Sequence, residues 1–285
     1  MKIGLLAFTT VKTIHPAALA QKCEALGFDL LVFPEHPVIP THTRTPFPRA
    51  DGKIPDYYYN CPDPFVTIAL AAAVTTRIRL GTGILLIPEH NPINVAKEIA
   101  TLDHYSNGRI VMGIGAGWLV DEVEAFGVEF RRRWPLTHEY VRAIKELWTK
   151  EDASFSGEFL EFPPIRCNPK PLQKPHPPIL VGAAGERALR NTVAIGDGWM
   201  PLEQSPEQLK SELAKLRTMC DEAGRRFEDL EISVTFAGSR KPNPRELRER
   251  YREAGAHRLI LNTLPLGRDD ADRELEAMAR DWIAR

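Results

Sequence analysis

Cysteine is scarce in this chain. Four occur in 285 residues, at Cys23, Cys61, Cys167 and Cys220, and no two form a C-x-x-C pair. That spacing argues against a zinc site and against a disulfide scaffold, and it fits a reducing cytoplasm. No apolar run approaches the ~20 residues that a membrane helix needs. The stretch from Met1 to Thr10 is too short in apolar residues for a signal peptide and reads better as a first strand. Charge of one sign is not in excess either. A net charge of −1 provides no global field to attract nucleic acid or an anionic membrane, so the expected partner is a small molecule. Also missing are a G-x-S-x-G elbow, an H-E-x-x-H pair, a P-loop and any carboxylate cluster with metal spacing. What remains is an ordinary globular composition, 43% hydrophobic and 26% charged, sufficient for a large core.

Short apolar runs alternate with helical patterns along the whole chain. Strands are expected at Ile3–Phe8, Leu30–Phe33, Ile78–Leu86, Ile110–Ile114, Ile179–Val181, Gly198–Met200, Glu231–Phe236 and Arg258–Leu261. Helices are expected at Ala17–Leu26, stopped by Gly27, and at Phe65–Thr76, opened by Asp63-Pro64. Others follow from Pro92 to Tyr105 and at about 118–126, 135–149, 185–195, 206–223 and 244–254, with one more at the end. Eight strand–helix units form the count of a (β/α)8 TIM barrel, here one domain over residues 1–285. The strands are continuously apolar, as strands covered on both faces are. A doubly wound open sheet is the alternative, but Phe8-Thr9-Thr10 lacks the glycine-rich turn that fold carries after its first strand.

Two insertions break the rhythm. Residues 37–62, after the second strand, are rich in proline, tyrosine and arginine. Residues 152–177, before the fifth strand, contain a hairpin-like stretch, Ser154–Phe162, and a proline-rich return. Long loops in compact domains are commonly functional, and one that follows a barrel strand lies at the catalytic end.

Polar residues at the C-terminal ends of barrel strands are the site candidates. The second strand ends in Pro34-Glu35-His36. Either His36 acts as an acid or base tuned by Glu35, or the two are a loop pair. The third carries Gly81-Thr82-Gly83-Ile84, where glycine signals a bulge, a flat ligand or tight strand packing; Glu89-His90 lies further on. The fourth ends in Gly113-Ile114-Gly115-Ala116-Gly117-Trp118. No third glycine completes a dinucleotide fingerprint, which leaves a pocket wall or a structural tryptophan. The fifth ends in Gly182-Ala183-Ala184-Gly185 before a helix, a place where backbone N–H groups can bind phosphate. Arg131-Arg132-Arg133 reads as solvated surface, with a ligand contact as the lesser alternative.

Together these motifs carry a resemblance. Arg77-Ile78-Arg79-Leu80-Gly81-Thr82-Gly83-Ile84, Asn91-Pro92, Thr101-Leu102-Asp103, Asn107-Gly108-Arg109 and the run from Gly113 to Trp118 resemble the bacterial-luciferase-like oxidoreductases. So do Pro169-Lys170-Pro171, Pro178-Ile179 and Gly196-Asp197-Gly198-Trp199. The chain is more similar to the deazaflavin-dependent branch, which uses coenzyme F420, than to the luciferases. The resemblance implies a deazaflavin, or alternatively FMN, lying across the C-terminal mouth of the barrel. It also implies a strand-three bulge with a non-proline cis peptide at Gly83–Ile84 backing the central ring.

On that resemblance the cofactor would rest on main chain at Gly81, Thr82, Gly83 and Ile84, near Gly115 and Gly117. Its phosphate would be held at Gly182, Ala183, Ala184 and Gly185. His36 is the expected proton donor or acceptor, with Glu35 orienting it. Trp118 and the loop residues Tyr57, Tyr58 and Tyr59 are the expected substrate pocket. Sugar-phosphate dehydrogenases of this branch carry a catalytic glutamate where Trp118 stands, which argues for a more apolar or aromatic substrate. The implied reaction is hydride transfer between deazaflavin and a small organic molecule. The alternatives are an FMN-dependent monooxygenase and a non-catalytic flavin carrier. A homodimer is the expected assembly.

Overall fold

The computed structural model describes residues 1–48, 52–237 and 243–283. Residues 49–51 of the first insertion, and the chain end at 284–285, lie outside the described residues. The continuous apolar runs become eight parallel strands that close on themselves. Round the barrel they are β1 (Lys2–Ala7), β2 (Leu30–Phe33), β3 (Arg79–Leu86), β4 (Ile110–Gly115), β7 (Ile179–Gly182), β8 (Gly198–Met200), β9 (Glu231–Ala237) and β10 (Arg258–Thr263). The last pairs back onto β1. The expected (β/α)8 TIM barrel is therefore the fold. Its helices are α1 (Pro16–Leu26), α2 (Pro64–Ala72), α3 (Pro92–Tyr105), α4 (Val120–Ala125), α5 (Arg133–Thr149), α6 (Glu186–Ile195), α7 (Pro206–Glu222), α8 (Pro244–Ala254) and α9 (Ala271–Trp282).

Local chemistry sets the helix starts. Proline opens α1, α2, α3, α7 and α8, where its missing N–H costs no hydrogen bond. Asp63 accepts from the Val66 amide and Asn91 from those of Ile93 and Asn94. Ser205 and Gln208 cap each other's backbone. Helix α2 ends at Ala72, four residues short of its expected end. The Thr75 hydroxyl bonds back to the Ala71 carbonyl, and the Glu24 carboxylate takes the amides of Thr76, Arg77 and Ile78.

The core has two layers. A large one lies between strands and helices. A small one fills the barrel interior with Leu6, Phe8, Leu30, Val32, Val111, Leu180, Met200 and Ile260. Below it, at the N-terminal end of the strands, Arg258 is 1% exposed and pairs with Asp29 at 2.7 Å and with Glu231. Ser233 accepts from the same guanidinium at 2.9 Å, Arg79 reaches Glu231 at 3.1 Å, and Lys2 reaches Asp29 at 3.4 Å.

The two insertions go to different places. The first crosses the C-terminal mouth, where a short 3-10 turn at Asp56–Asn60 packs Tyr57 and Tyr58 onto the inner core. The second forms the antiparallel pair β5 (Ala153–Ser156) and β6 (Glu161–Ile165) outside the barrel. Its turn is held by Glu139 of α5, which accepts the amides of Glu158, Phe159 and Leu160. Its return reaches the lower end, where Gln173 bonds Asp103 and the Ile110 carbonyl. Among the described residues no helix is long and apolar enough to cross a membrane.

Candidate active site

A cavity of about 530 Å³ opens at the C-terminal mouth of the barrel. It lies within the usual range for small-molecule sites, about 300–1,000 Å³. Its walls come from the ends of the strands: Phe8 after β1, Pro34–His36 after β2, Gly83 and Ile84 in β3, Gly115–Trp118 from β4, and Gly182 and Ala183 from β7. Met200, Thr235 and Asn262 complete the ring, and Arg133 and Trp134 at the start of α5 close one side.

His36 sits in this wall, and its ring geometry fixes its chemistry. Nδ1 lies 2.7 Å from Oε2 of Glu122, which is fully buried on α4. A carboxylate only accepts, so Nδ1 carries the hydrogen. Trp118 Nε1, a donor only, points at Nε2 from 3.4 Å. Nε2 is therefore the bare nitrogen, and this tautomer makes His36 a base toward the cavity.

Glu35 does not orient His36, contrary to the expectation from their adjacency. Consecutive residues after a strand diverge, and Glu35 turns toward β3. One oxygen takes the Leu86 amide at 2.6 Å and the other meets His90 Nε2 at 2.7 Å. Burial pulls the His90 imidazole down, but the bonded Glu35 carboxylate outweighs it and holds His90 above its ordinary range. Glu35 is thus a tie between the ends of β2 and β3.

Aromatic rings enclose the space beside His36. Tyr58 lies 5.0 Å from His36 and 5.0 Å from Phe8, and Phe47 lies 5.2 Å from Tyr58 and 5.7 Å from Trp118. Tyr57 packs edge-on against Phe8 at 4.9 Å. Tyr59 turns outward, 52% exposed, and lines nothing. A 3-10 turn brings a residue to the same side only every third position, so three consecutive tyrosines cannot all face inward. The insertion is fastened to α4: Arg44 donates from its backbone and side chain to Asp121, and from its Nη2 to Glu124. One short helix therefore holds both the histidine and the loop over it.

The glycine-rich strand ends differ from expectation in detail. Gly81 and Thr82 are buried within the sheet and do not reach the cavity. A Cβ on Gly81 would lie 2.1 Å from the Val111 carbonyl oxygen, so this glycine allows β3 and β4 to approach. The Thr82 hydroxyl is spent on the Gly113 carbonyl. The register shifts between Thr82 and Leu85, and the Gly83–Ile84 peptide is cis. A Cβ on Gly115 would strike Ile84 Cδ1 at 2.0 Å, and one on Gly182 would strike Ile84 Cγ2 at 2.8 Å. These two glycines make room for Ile84. This side of the cavity is therefore lined by the Ile84 side chain together with the main chain of Gly83, Gly115 and Gly182.

Beyond Gly182 the chain turns through Ala183 at φ 94° and Gly185 at φ 83° into α6. No side chain caps α6, and Ala183, Ala184 and Gly185 are exposed. Ala184 and Gly185 stand at the rim beyond the lining residues. Uncapped first-turn amides with the positive end of the helix dipole suit an anion. Arg133 was expected among solvated arginines. Instead it is half-buried in the wall, bonded to the Gly117 carbonyl at 3.1 Å and stacked over Phe130 at 3.6 Å.

A family model described as luciferase-like monooxygenase matches residues 1–282. The chain belongs to this family. Its members include oxidoreductases and monooxygenases. The uncharacterized protein Rv0953c of Mycobacterium tuberculosis is 38% identical over 282 residues, 98% of each chain. The FMNH(2)-dependent dimethylsulfone monooxygenase of Pseudomonas putida is 33% identical over 156 residues, 53% of this chain and 43% of that one. Among solved structures, an F420-dependent secondary alcohol dehydrogenase in complex with an F420-acetone adduct superposes with a TM-score of 0.78 at 18% identity. It covers 98% of this chain and 97% of that one. Sequence reasoning missed Glu122, Phe8 and Phe47 as site residues and placed Arg133 on the surface first, with a ligand contact second; Phe8 carried a signal in its place just after β1.

Proposed function

We propose that this chain is a coenzyme F420-dependent oxidoreductase acting on a small organic substrate of apolar or aromatic character. The observation that carries the reading is His36: a histidine held at Nδ1 by Glu122, with Nε2 bare beside an aromatic-walled cavity. The residues present fit a ring with a phosphate-bearing tail. Ile84 offers an apolar floor, and the turn from Gly182 to Gly185 with the first amides of α6 would hold the phosphate. When bound, a deazaflavin supplies a carbon that exchanges hydride with substrate.

The chain's own residues do the rest. Phe8, Phe47, Tyr58 and Trp118 exclude water and orient an apolar substrate. His36 Nε2 takes a proton from a substrate hydroxyl as hydride departs, or returns one in reverse. Glu122 faces the imidazolium that forms. The F420-dependent alcohol dehydrogenase with the same fold supports this reading. The homodimer is part of the proposal; Val66, Leu70 and Val74 stand exposed near one another on and after α2.

Oxygenation with reduced FMN is the second reading, favoured by the stretch shared with the dimethylsulfone monooxygenase. Titrating the purified protein with each cofactor separates them: tight FMN binding without deazaflavin binding overturns the proposal. Replacing His36→Ala is expected to lower turnover by about 10²–10⁴-fold while coenzyme affinity changes only a few-fold. Full turnover in that variant would remove His36 from the chemistry.

A further inference from the structure

Behind the wall that carries His36 lies a buried carboxyl group, Glu89, that the reaction does not use. Glu89, just beyond β3, is 5% exposed, and neither of its carboxylate oxygens has a hydrogen-bond partner. Glu122 is fully buried, and its Oε1 is likewise unpartnered while Oε2 holds His36. Glu89 and helix α4, which carries Glu122, both pack against Gly117. A Cβ there would stand 3.4 Å from Glu89 Oε1 and 2.7 Å from Val123, the neighbour of Glu122. The charged groups facing Glu89 are Glu122 from α4 and Glu35 from the end of β2, both negative. Glu35 is satisfied by the Leu86 amide and His90. Glu89 has no such support.

Two carboxylates this deeply buried cannot both stay ionised. Desolvation penalises each charge, and the two repel. We propose that Glu89 and Glu122 are a one-proton pair in which Glu89 rests as the neutral acid and Glu122 as the single anion that holds His36. The choice between them follows from their partners. The Nδ1–H bond of His36 stabilises charge on Glu122, and nothing stabilises it on Glu89. Burial first, then the Glu122 and Glu35 charges, push the Glu89 carboxyl up to about 9, in the same direction.

The stored proton has a consequence at the cavity. With both glutamates ionised, two buried negative charges would lie behind His36 and favour a cationic ring, at the expense of the lone pair toward substrate. With Glu89 neutral, the single Glu122 anion accepts the Nδ1–H of His36 and Nε2 stays bare in the resting protein. Glu89 is then a positioning residue acting through Glu122 on His36. The inference concerns the resting chain and stands whichever cofactor or substrate the cavity takes.

Infrared difference spectroscopy of the cofactor-free full chain tests it. One protonated buried carboxyl is expected at neutral pH, persisting until the pH approaches about 9, and lost in Glu89→Gln, whose amide is neutral and of similar shape. Ring-nitrogen NMR should show His36 in the same Nδ1–H tautomer in Glu89→Gln as in the wild type, and a changed tautomer would overturn the pair. Absence of the carboxyl signal in the wild type, or its survival in Glu89→Gln, overturns the assignment. If Glu89→Gln does not fold, NMR of the wild type with labelled glutamate carboxyl carbons decides. One glutamate titrating in the alkaline range supports the pair, and all of them titrating below neutrality overturns it.

Discussion

The two ends of this barrel treat buried charge in opposite ways. At the lower end, Arg258 is fully buried, yet it faces Asp29, Glu231 and Ser233. Arg79 and Lys2 complete the balance. At the upper end, Glu35, Glu89 and Glu122 share two imidazoles and one backbone amide, and three of their oxygens have no hydrogen-bond partner among the described residues. A closed ion cluster holds strand ends together and has no chemistry to offer. An incompletely satisfied one costs stability and leaves protonation free to change, which is where function is expected.

Removing the central cation is the severest way to break this comparison. Arg258→Met would leave Asp29 and Glu231, both largely buried, without their shared partner. A loss of about 3 kcal/mol in unfolding free energy is expected, because an uncompensated buried charge costs more than the pair contributed. Urea unfolding measures it. Cofactor binding at the far end should survive wherever the variant remains folded. A loss below about 1 kcal/mol would mean that the lower cluster is not a structural tie.

The pH dependence of stability separates the ends by sign. Burial pushes Glu231 up, but the guanidinium groups of Arg258 and Arg79 overcome it and hold the folded carboxyl below its usual 4.5. Its contribution is full above that value and fades as pH falls through the lowered one. Glu89 behaves inversely. Its folded value, about 9, lies above the usual 4.5. The folded state binds the proton that the unfolded chain releases, so stability drains as pH rises between those limits. The slope from this one proton is at most about 1.4 kcal/mol per pH unit. In unfolding curves taken from about pH 5 to about pH 8, Glu89→Gln should lack that slope. Identical slopes in both proteins would erase the contrast.

How much of each end could be read from sequence follows the range of the interactions. The barrel itself was legible, because Leu30–Phe33 and Ile110–Ile114 are continuously apolar and Asp63-Pro64 and Asn91-Pro92 announce helices locally. His36 was legible from its place after β2. Its partner was not: Glu122 lies 86 residues away, and the adjacent Glu35 offered a nearer but incorrect choice. The glycines of β3 and β4 read as a bulge and a pocket wall, and the one that ends β7 as part of a phosphate turn. Sequence could not say that Ile84 packs against Gly115 and Gly182. Arg133 resembled its exposed neighbour Arg131, and only the start of α5 turns it into the wall.

At the rim, the upper end exposes backbone donors instead of burying an acid. The turn through Ala183 to Gly185 leaves the first amides of α6 without a side-chain cap. Ala184 is exposed there, so a longer side chain meets no core packing and the fold should tolerate it. Ala184→Glu would place a negative charge beside the amides assigned to the phosphate. A helix N-terminus favours an anion by about 0.3–1 kcal/mol, and a fixed carboxylate both occupies that position and repels its rival. Affinity for a phosphate-bearing coenzyme should fall by about tenfold, equivalent to about 1.4 kcal/mol. Affinity for the bare ring without its tail should stay unchanged. Comparing the two ligands isolates the rim from the floor at Ile84. An equal loss for both would mean that the substitution disturbs the cavity as a whole, and an unchanged affinity for both would place the phosphate elsewhere.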